Sequence, residues 1–275
     1  MGTIMALMLD VVPASEQPVD GDSTGHPFIA IDGDYGRGLV IVCDHARNSL
    51  PARYGTLGLP ASELERHIAY DIGAEALTRR LAALLAAPAV LSTFSRLLID
   101  PNRGEDDPTL IMQLSDGAVV PGNAGICASE RQYRIEQFYR PYHEAIETAI
   151  ARVEAAGAIP VVFSVHSFTP SWKGVPRPWH AGLLWDSDDR LGRALVAALR
   201  EVPGLVVGEN EPYSGGLAGD TMDFHCTRRG LSHALLEVRQ DLIAGAEGVE
   251  EWAERLATIL PRLLTDASIT DRIAV

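Results

Sequence analysis

The sequence predicts a three-layer α/β/α fold, with helices on both sides of a mostly parallel sheet. Three observations predict it. Apolar runs such as "GLVIVCDH" (38–45) and "IPVVFSVHSF" (159–168) are hydrophobic at successive positions, as strands covered on both faces must be. Segments with a 3.6-residue apolar period separate them, giving the alternation of strand and helix that builds parallel sheets. The strand-like runs end repeatedly in polar residues, where open α/β sheets bind ligands.

The elements follow in chain order. Residues 1 to 30 are rich in Pro, Asp, Ser and Gly without periodicity and read as a flexible arm, leaving 31–275 as one domain. "GLVIVCDH" is the first buried strand. "ASELERHIAYDIGAEALTRRLAALLAA" (61–87) reads as one long helix, opened by Ser62 and Glu65 as a capping box. "AVLSTF" and "RLLID" read as short strands, the second stopped by Pro101 and Gly104. Residues 104–128 carry turn residues over a length that suggests a site-covering loop. A helix capped by Ser129 and Gln132 runs to Gly157, with a kink expected at Pro141. The strand "IPVVFSVHSFTP", the strand "AGLLWD", the helix "SDDRLGRALVAALREV", the strands "LVVGEN" and "SHALLEVRQ", and the helix "VEEWAERLATILPRLLTD" complete the chain.

Composition narrows the function classes. The 275 residues are 47% hydrophobic and 22% charged, enough for a substantial core. No apolar window is long enough for a membrane span, and no basic segment precedes the short N-terminal apolar stretch, so a cytoplasmic protein is expected. Three scattered cysteines argue against a disulfide framework, and Cys43 reads as an inert buried thiol. With 37 acidic against 23 basic residues, the net charge of -14 speaks against nucleic acid as a partner. Oligomeric state is not legible.

The polar strand ends form a candidate constellation: Asp44 and His45, then Asp100, Asn102 and Arg103, then His166, then Asn210, with Glu237 and Arg239 on the last strand. Two histidines at strand ends are the right donors for a catalytic metal, which takes three protein ligands and leaves one position open. A lone strand-end histidine would more commonly cap its strand. His67 and Asp71 share a helical face at i, i+4, a spacing that suits a metal or a solvated pair. Charged side chains at Glu237 and Arg239 need partners inside a sheet, either a ligand or each other.

The ordered set "VCDHARNSLP", "AYDIGAEAL", "SRLLIDPNR", "VHSFTP", "NEPYSG" and "LLEVRQDLI", spanning most of 39–243, resembles the N-formylglutamate amidohydrolase family. That family is similar in fold to the zinc carboxypeptidases and the succinylglutamate desuccinylase and aspartoacylase group. The resemblance implies a phosphorylase/hydrolase-like fold, zinc-dependent amide hydrolysis and a small anionic N-acyl amino acid as substrate. The carboxypeptidase pattern His-x-x-Glu followed by His falls on His45, Asn48 and His166. Asn48 is a departure: an amide is a weaker ligand than a carboxylate, so one zinc ion, weakly held, is expected. The third ligand is Asn48 through its carbonyl oxygen, Asp44, Asp71 or a water. By the same resemblance Asn102 and Arg103 grip a substrate carboxylate, Glu237 is the general base, and Arg96 or Arg239 stabilises the oxyanion. Arg47 is a candidate for a second carboxylate, and Asn210, Tyr213 and His225 for substrate contact. A different acyl group, or an inactive ligand-binding relative, is the alternative.

Overall fold

A computed structural model describes residues 25–274. The first half of the chain forms β1 (Phe28–Ile31), β2 (Leu39–Cys43), α1 (Ala61–Leu64), α2 (Ala74–Leu85), β3 (Ala89–Ser92), β4 (Leu114–Ser115), β5 (Ala118–Val119), α3 (Ala128–Arg134) and α4 (Arg140–Ala155). The second half forms β6 (Val161–Phe168), β7 (Ser171–Trp172), β8 (Val175–Pro176), β9 (Ala181–Leu184), α5 (Arg190–Arg200), β10 (Val207–Glu209), α6 (Thr221–His225), β11 (His233–Arg239), α7 (Ala246–Leu263) and α8 (Ala267–Thr270).

Seven strands make the central sheet in the order β1-β3-β2-β6-β11-β9-β10. Its middle, β3-β2-β6-β11, is parallel, whereas β1 pairs antiparallel with β3 and β9 antiparallel with β11. Alternate residues of each buried strand feed different cores. Ile41, Phe163 and Leu236 pack with Leu77 and Leu81 of α2, Leu195 of α5 and Trp252 of α7. Val42, Val162 and Leu235 pack on the other face against Tyr142, Ile146 and Ile150 of α4. Covered on both faces, these strands are continuously apolar in sequence for that reason. The mostly parallel three-layer fold is the one the sequence predicts.

Several local expectations differ from the structure. The helix expected over 61–87 is broken: α1 ends at Leu64, turns occupy 65–73, and α2 starts after Gly73, whose left-handed φ of 84° serves as its N-cap. Ser62 lies inside α1, behind Pro60, and caps nothing. The apolar period ran through the break because Ile68 and Ala69 are themselves buried, in a small cluster with Leu57, Leu97 and Val120. "RLLID" is not a strand. Its residues form turns, with Leu98 N–H donating to Ser95 O, and they are buried by packing rather than by sheet pairing.

The helix before β6 is capped at Cys127, not Ser129, and a π-helical turn over Ile135–Tyr139 precedes Pro141. The extra residue in that turn accommodates the proline ring at the start of α4. Of the expected arm over 1–30, residues 1–24 lie outside the described residues, and Phe28–Ile31 are β1. No helix of the described residues is long and apolar enough to cross a membrane.

Candidate metal centre and active site

A cavity of about 270 Å³ opens at the carboxyl ends of the parallel strands, lined among others by His45, Asp71, Arg96, Asn102, Arg103, His166, Tyr213 and Glu237. Strand geometry delivers these groups. His45 stands two residues beyond β2, while His166 and Glu237 are register partners on adjacent strands β6 and β11. Asp71 comes from the break between α1 and α2, where its backbone N–H donates to His45 O at 2.9 Å. The helix is interrupted at the point where its carboxylate must turn into the sheet.

His45, Asp71 and His166 form a buried group whose donor atoms all lie within 4.8 Å of one another, able to hold a metal ion. The bonds around it sort the nitrogens. His45 Nε2 meets Asp100 Oδ1 at 2.7 Å and His166 Nε2 meets Asp44 Oδ2 at 2.9 Å. The two Nδ1 atoms face Asp71 Oδ2, at 3.4 and 2.8 Å. Each imidazole thus gives its outer nitrogen to a buried carboxylate and turns the other inward, the arrangement that orients metal-binding histidines. Arg96 Nη1 lies 3.3 Å from His45 Nδ1, the nitrogen that also faces Asp71.

Electrostatics follow from this density of charge. Burial alone would raise the Asp71 carboxyl, but His45 and His166 outweigh it and hold the group well below the usual carboxylate range. Burial would likewise neutralise His166, yet its bonds to Asp44 and Asp71 push the imidazole well above its usual value. A cation binding here must displace that proton. Asp44 is held by more than His166: Tyr142 OH at 2.9 Å, Ser164 Oγ at 3.2 Å and Thr221 Oγ1 at 2.7 Å all donate to it. Asp100 is clamped by Arg96 Nε and Nη2 at 3.1 and 2.6 Å.

Glu237 behaves oppositely. It is 7% exposed and its Oε2 is buried with no hydrogen-bond partner. Burial, with Asp71 adding to it against His166, Arg96 and Arg177, pushes its carboxyl up to about 8. A buried carboxyl without a partner, beside a cluster of metal donors, is an active-site signature.

Other candidate residues divide in two. Asn102 and Arg103 line the cavity: Asn102 Oδ1 accepts from Thr221 N at 3.0 Å, and Arg103 Nη1 donates to Asn102 O at 2.7 Å. Glu105, an alternative partner for Arg103, pairs instead with Arg140. Tyr213 also lines the cavity, its OH accepting from Arg177 Nη1 at 3.0 Å.

Asn48, Arg47, Arg239, Asn210 and His225 do not reach it. Asn48 donates to Leu64 O at 2.8 Å, so the third donor beside the histidines is Asp71. Arg47 is turned onto Glu75, and Arg239 onto Asp241 and the Trp179 carbonyl. His225 stacks under His143, 2.9 Å from its Nδ1. Asn210 follows β10, which with β9 runs against the parallel core, so it stands level with Leu184 and Leu235, short of the carboxyl ends of the parallel strands. Its Oδ1 accepts from Trp185 N and Gly215 N, bracing the loop that carries Tyr213 back to the cavity. That return is possible because Gly182 has no Cβ; one there would lie 1.7 Å from the Glu211 carbonyl. The expected covering loop 104–128 contributes no lining residue. Its β4–β5 hairpin borders the site through Asp116, 3.4 Å from His67.

Sequence reasoning passed over Gln240 and Asp220, both of which line the cavity. Asp220 is buried, and burial with Asp44 and Asp223 nearby pushes its carboxyl up to about 7, against the Asp223 backbone N–H. No spacing rule marks either residue; Gln240 alone had a signal, its place directly after a strand already carrying Glu237.

Comparison with known proteins agrees with this geometry. No curated protein sequence matches the chain. Among solved structures, a gene product of Agrobacterium tumefaciens is 34% identical, with 87% of this chain and 95% of that one covered and a TM-score of 0.81. The N-formylglutamate amidohydrolase of Ralstonia eutropha is 23% identical, with 87% and 97% covered and a TM-score of 0.60, a likeness of fold. The sequence profile of the N-formylglutamate amidohydrolases matches residues 37–244, a span containing every residue that lines the cavity, and the chain therefore belongs to the N-formylglutamate amidohydrolase family.

Proposed function

We propose that the protein hydrolyses the acyl amide of a small N-acyl amino acid, N-formyl-L-glutamate foremost, to formate and the free amino acid, with one zinc ion held by His45, Asp71 and His166. The observation that carries this reading is the unpaired, buried Oε2 of Glu237, on the strand adjacent to His166. Two imidazoles and a carboxylate are a donor set that suits zinc with one position left open. When bound, the ion would polarise the amide carbonyl and bring the pKa of a water from 15.7 toward about 7.

The chain's own groups supply the rest. Arg103, with the Asn102 amide nitrogen beside it, grips the α-carboxylate; a guanidinium matches that geometry in two parallel bonds. Glu237 takes the proton of the attacking water on its carboxylate as the new C–O bond forms. Arg96, fixed by its bonds to Asp100, presents a guanidinium to the oxygen that becomes negative. Glu237 then passes the proton to the amine nitrogen as the C–N bond breaks. Burial of the site keeps bulk water from competing for these bonds.

Formate release measured against a panel of N-formyl, N-acetyl and N-succinyl amino acids, on chelator-treated protein with and without added zinc, tests this reading. The expected result is zinc-restored activity, greatest with N-formyl-L-glutamate. Turnover unaffected by chelation would remove the metal, and preference for a larger acyl group would move the substrate.

A further inference from the structure

Gln240 follows β11 directly, three residues beyond Glu237, and opens the 3-10 turn Gln240–Leu242. It lines the cavity, is only 6% exposed, and its Nε2 is buried without a hydrogen-bond partner. Buried amide nitrogens in folded proteins are almost always paired, so one left open on a residue that lines a cavity is waiting for an acceptor that the chain does not supply.

The backbone that carries it is anchored. Ile243 N–H donates back to Gln240 O at 3.1 Å, and the Ile243 carbonyl lies against Gly73, where a Cβ would come within 2.3 Å of it. Arg239, the preceding residue, is drawn off to Asp241 and the Trp179 carbonyl and does not compete for the cavity. An anchored backbone limits the freedom that the side chain must lose on binding, as specificity contacts require.

Its place relative to Arg103 decides what it reads. Asn102 and Arg103 are tied through Thr221 to Asp44 and Tyr142, on the α4 side of the sheet. Gln240 is tied through Ile243 to the head of α2, in the layer packed with α7. The cavity therefore carries a carboxylate-binding arginine over one layer and a neutral donor over the other, with Glu237 and the His-Asp-His group among its lining. A glutamate derivative has a matching branched shape: two carboxylates at the ends of a short chain, and the acylated nitrogen projecting between them.

Building on the reading given above, we propose that the Gln240 amide nitrogen donates to the side-chain carboxylate of the bound amino acid, making Gln240 the residue that selects acidic over aliphatic N-acyl amino acids. A neutral donor suits this position. A lysine or arginine three residues from Glu237 would be drawn to its unpaired carboxylate, occupying the base; an amide binds the substrate oxygen and leaves the base free.

The test compares N-formyl-L-glutamate with N-formyl-L-norvaline, which has the same side-chain length without the carboxylate, in wild type, Gln240→Leu and Gln240→Glu. In Gln240→Leu, KM for N-formyl-L-glutamate is expected to rise roughly tenfold with kcat changed little, the effect of one hydrogen bond to a charged group. KM for the norvaline substrate should stay within about twofold. Gln240→Glu should weaken the glutamate substrate further by placing like charges together. Calorimetric titration of the product amino acids, L-glutamate and L-norvaline, reads the same contact without turnover. If Gln240→Leu melts below the assay temperature, the isosteric Gln240→Glu carries the comparison alone. An active wild type whose preference for glutamate is unchanged in the variants overturns the role of Gln240 and leaves the hydrolase reading intact. A wild type that neither cleaves N-formyl amino acids nor binds glutamate overturns both.

Discussion

His45 and Asp100 meet at 2.7 Å, His45 Nε2 against a carboxylate oxygen with no solvent exposure. That contact leaves Nδ1 as the inward-facing nitrogen of the ring, beside Asp71 and Arg96, so Asp100 acts on any bound cation through the imidazole. Asp100→Asn keeps the shape and removes the charge. The ring becomes a poorer donor, and Arg96 loses its closest counter-ion. Loss of such a partner lowers metal affinity by roughly 10- to 100-fold. Competition with a chromophoric zinc chelator measures it, and an affinity equal to that of wild type would show that Asp100 serves only Arg96.

Arg103 gives a prediction of a different kind, in binding and not in chemistry. Its guanidinium lines the cavity, oriented by Asn102 O and Thr109 Oγ1. Charge-assisted hydrogen bonds contribute roughly 1.5 to 3 kcal/mol each, so Arg103→Ala should raise KM about 10- to 100-fold with a smaller change in kcat. Arg80→Ala is the control, since Arg80 pairs on the surface with Glu250. Equal KM values for the two variants would place the carboxylate elsewhere.

His45 and His166 were legible in the sequence because sheet strands announce their own ends. A continuous apolar run that stops at Asp44-His45, or that carries His166 near its close, tells where the side chains emerge whatever the packing around them. The same logic failed at Asn210, because sequence order does not reveal strand direction: β10 looks like β2 and runs the other way. It left Asp71 as one of four possible third ligands, because the residue sat inside a helical period that Ile68 and Ala69 sustain by packing into a separate small core. Asn48 was drawn in by a spacing borrowed from other enzymes, and its amide is spent on Leu64 O. Local pattern reads burial well; it does not read which of two buried environments a residue enters.

Asp220 supplies a pH dependence whose sign is fixed by its environment. Burial raises its carboxyl from 3.8 to about 7, so the folded protein holds this proton more tightly than the unfolded chain does. Stability must then fall as pH rises from about 4 to about 7, with the full cost present above that range. The raised carboxyl corresponds to at most about 4 kcal/mol. Asp220→Asn keeps an acceptor for Asp223 N–H, the bond that caps α6, and removes the titration. In chelator-treated protein the variant should match wild type near pH 4 and exceed it increasingly toward pH 8. Urea melts across that interval check the slope; parallel curves would mean that Asp220 titrates as an ordinary carboxylate.

Glu237 offers the sharpest chemical test. Its carboxyl, pushed up to about 8 by burial and left with one unpaired oxygen, is a ready proton acceptor once ionised. A nearby divalent cation favours the charged form and would draw the group down toward neutrality, where proton exchange with water and amine is balanced. Glu237→Gln preserves volume and removes the exchangeable site. We expect kcat to fall roughly 10²- to 10⁴-fold, KM to change little, and the acid limb of the pH profile to disappear. Stability should hold or rise, since a buried group that resists ionisation has been replaced by a neutral one. A variant with full turnover would transfer the role of base to another group, and Asp71, already engaged with both histidines, would be a poor heir.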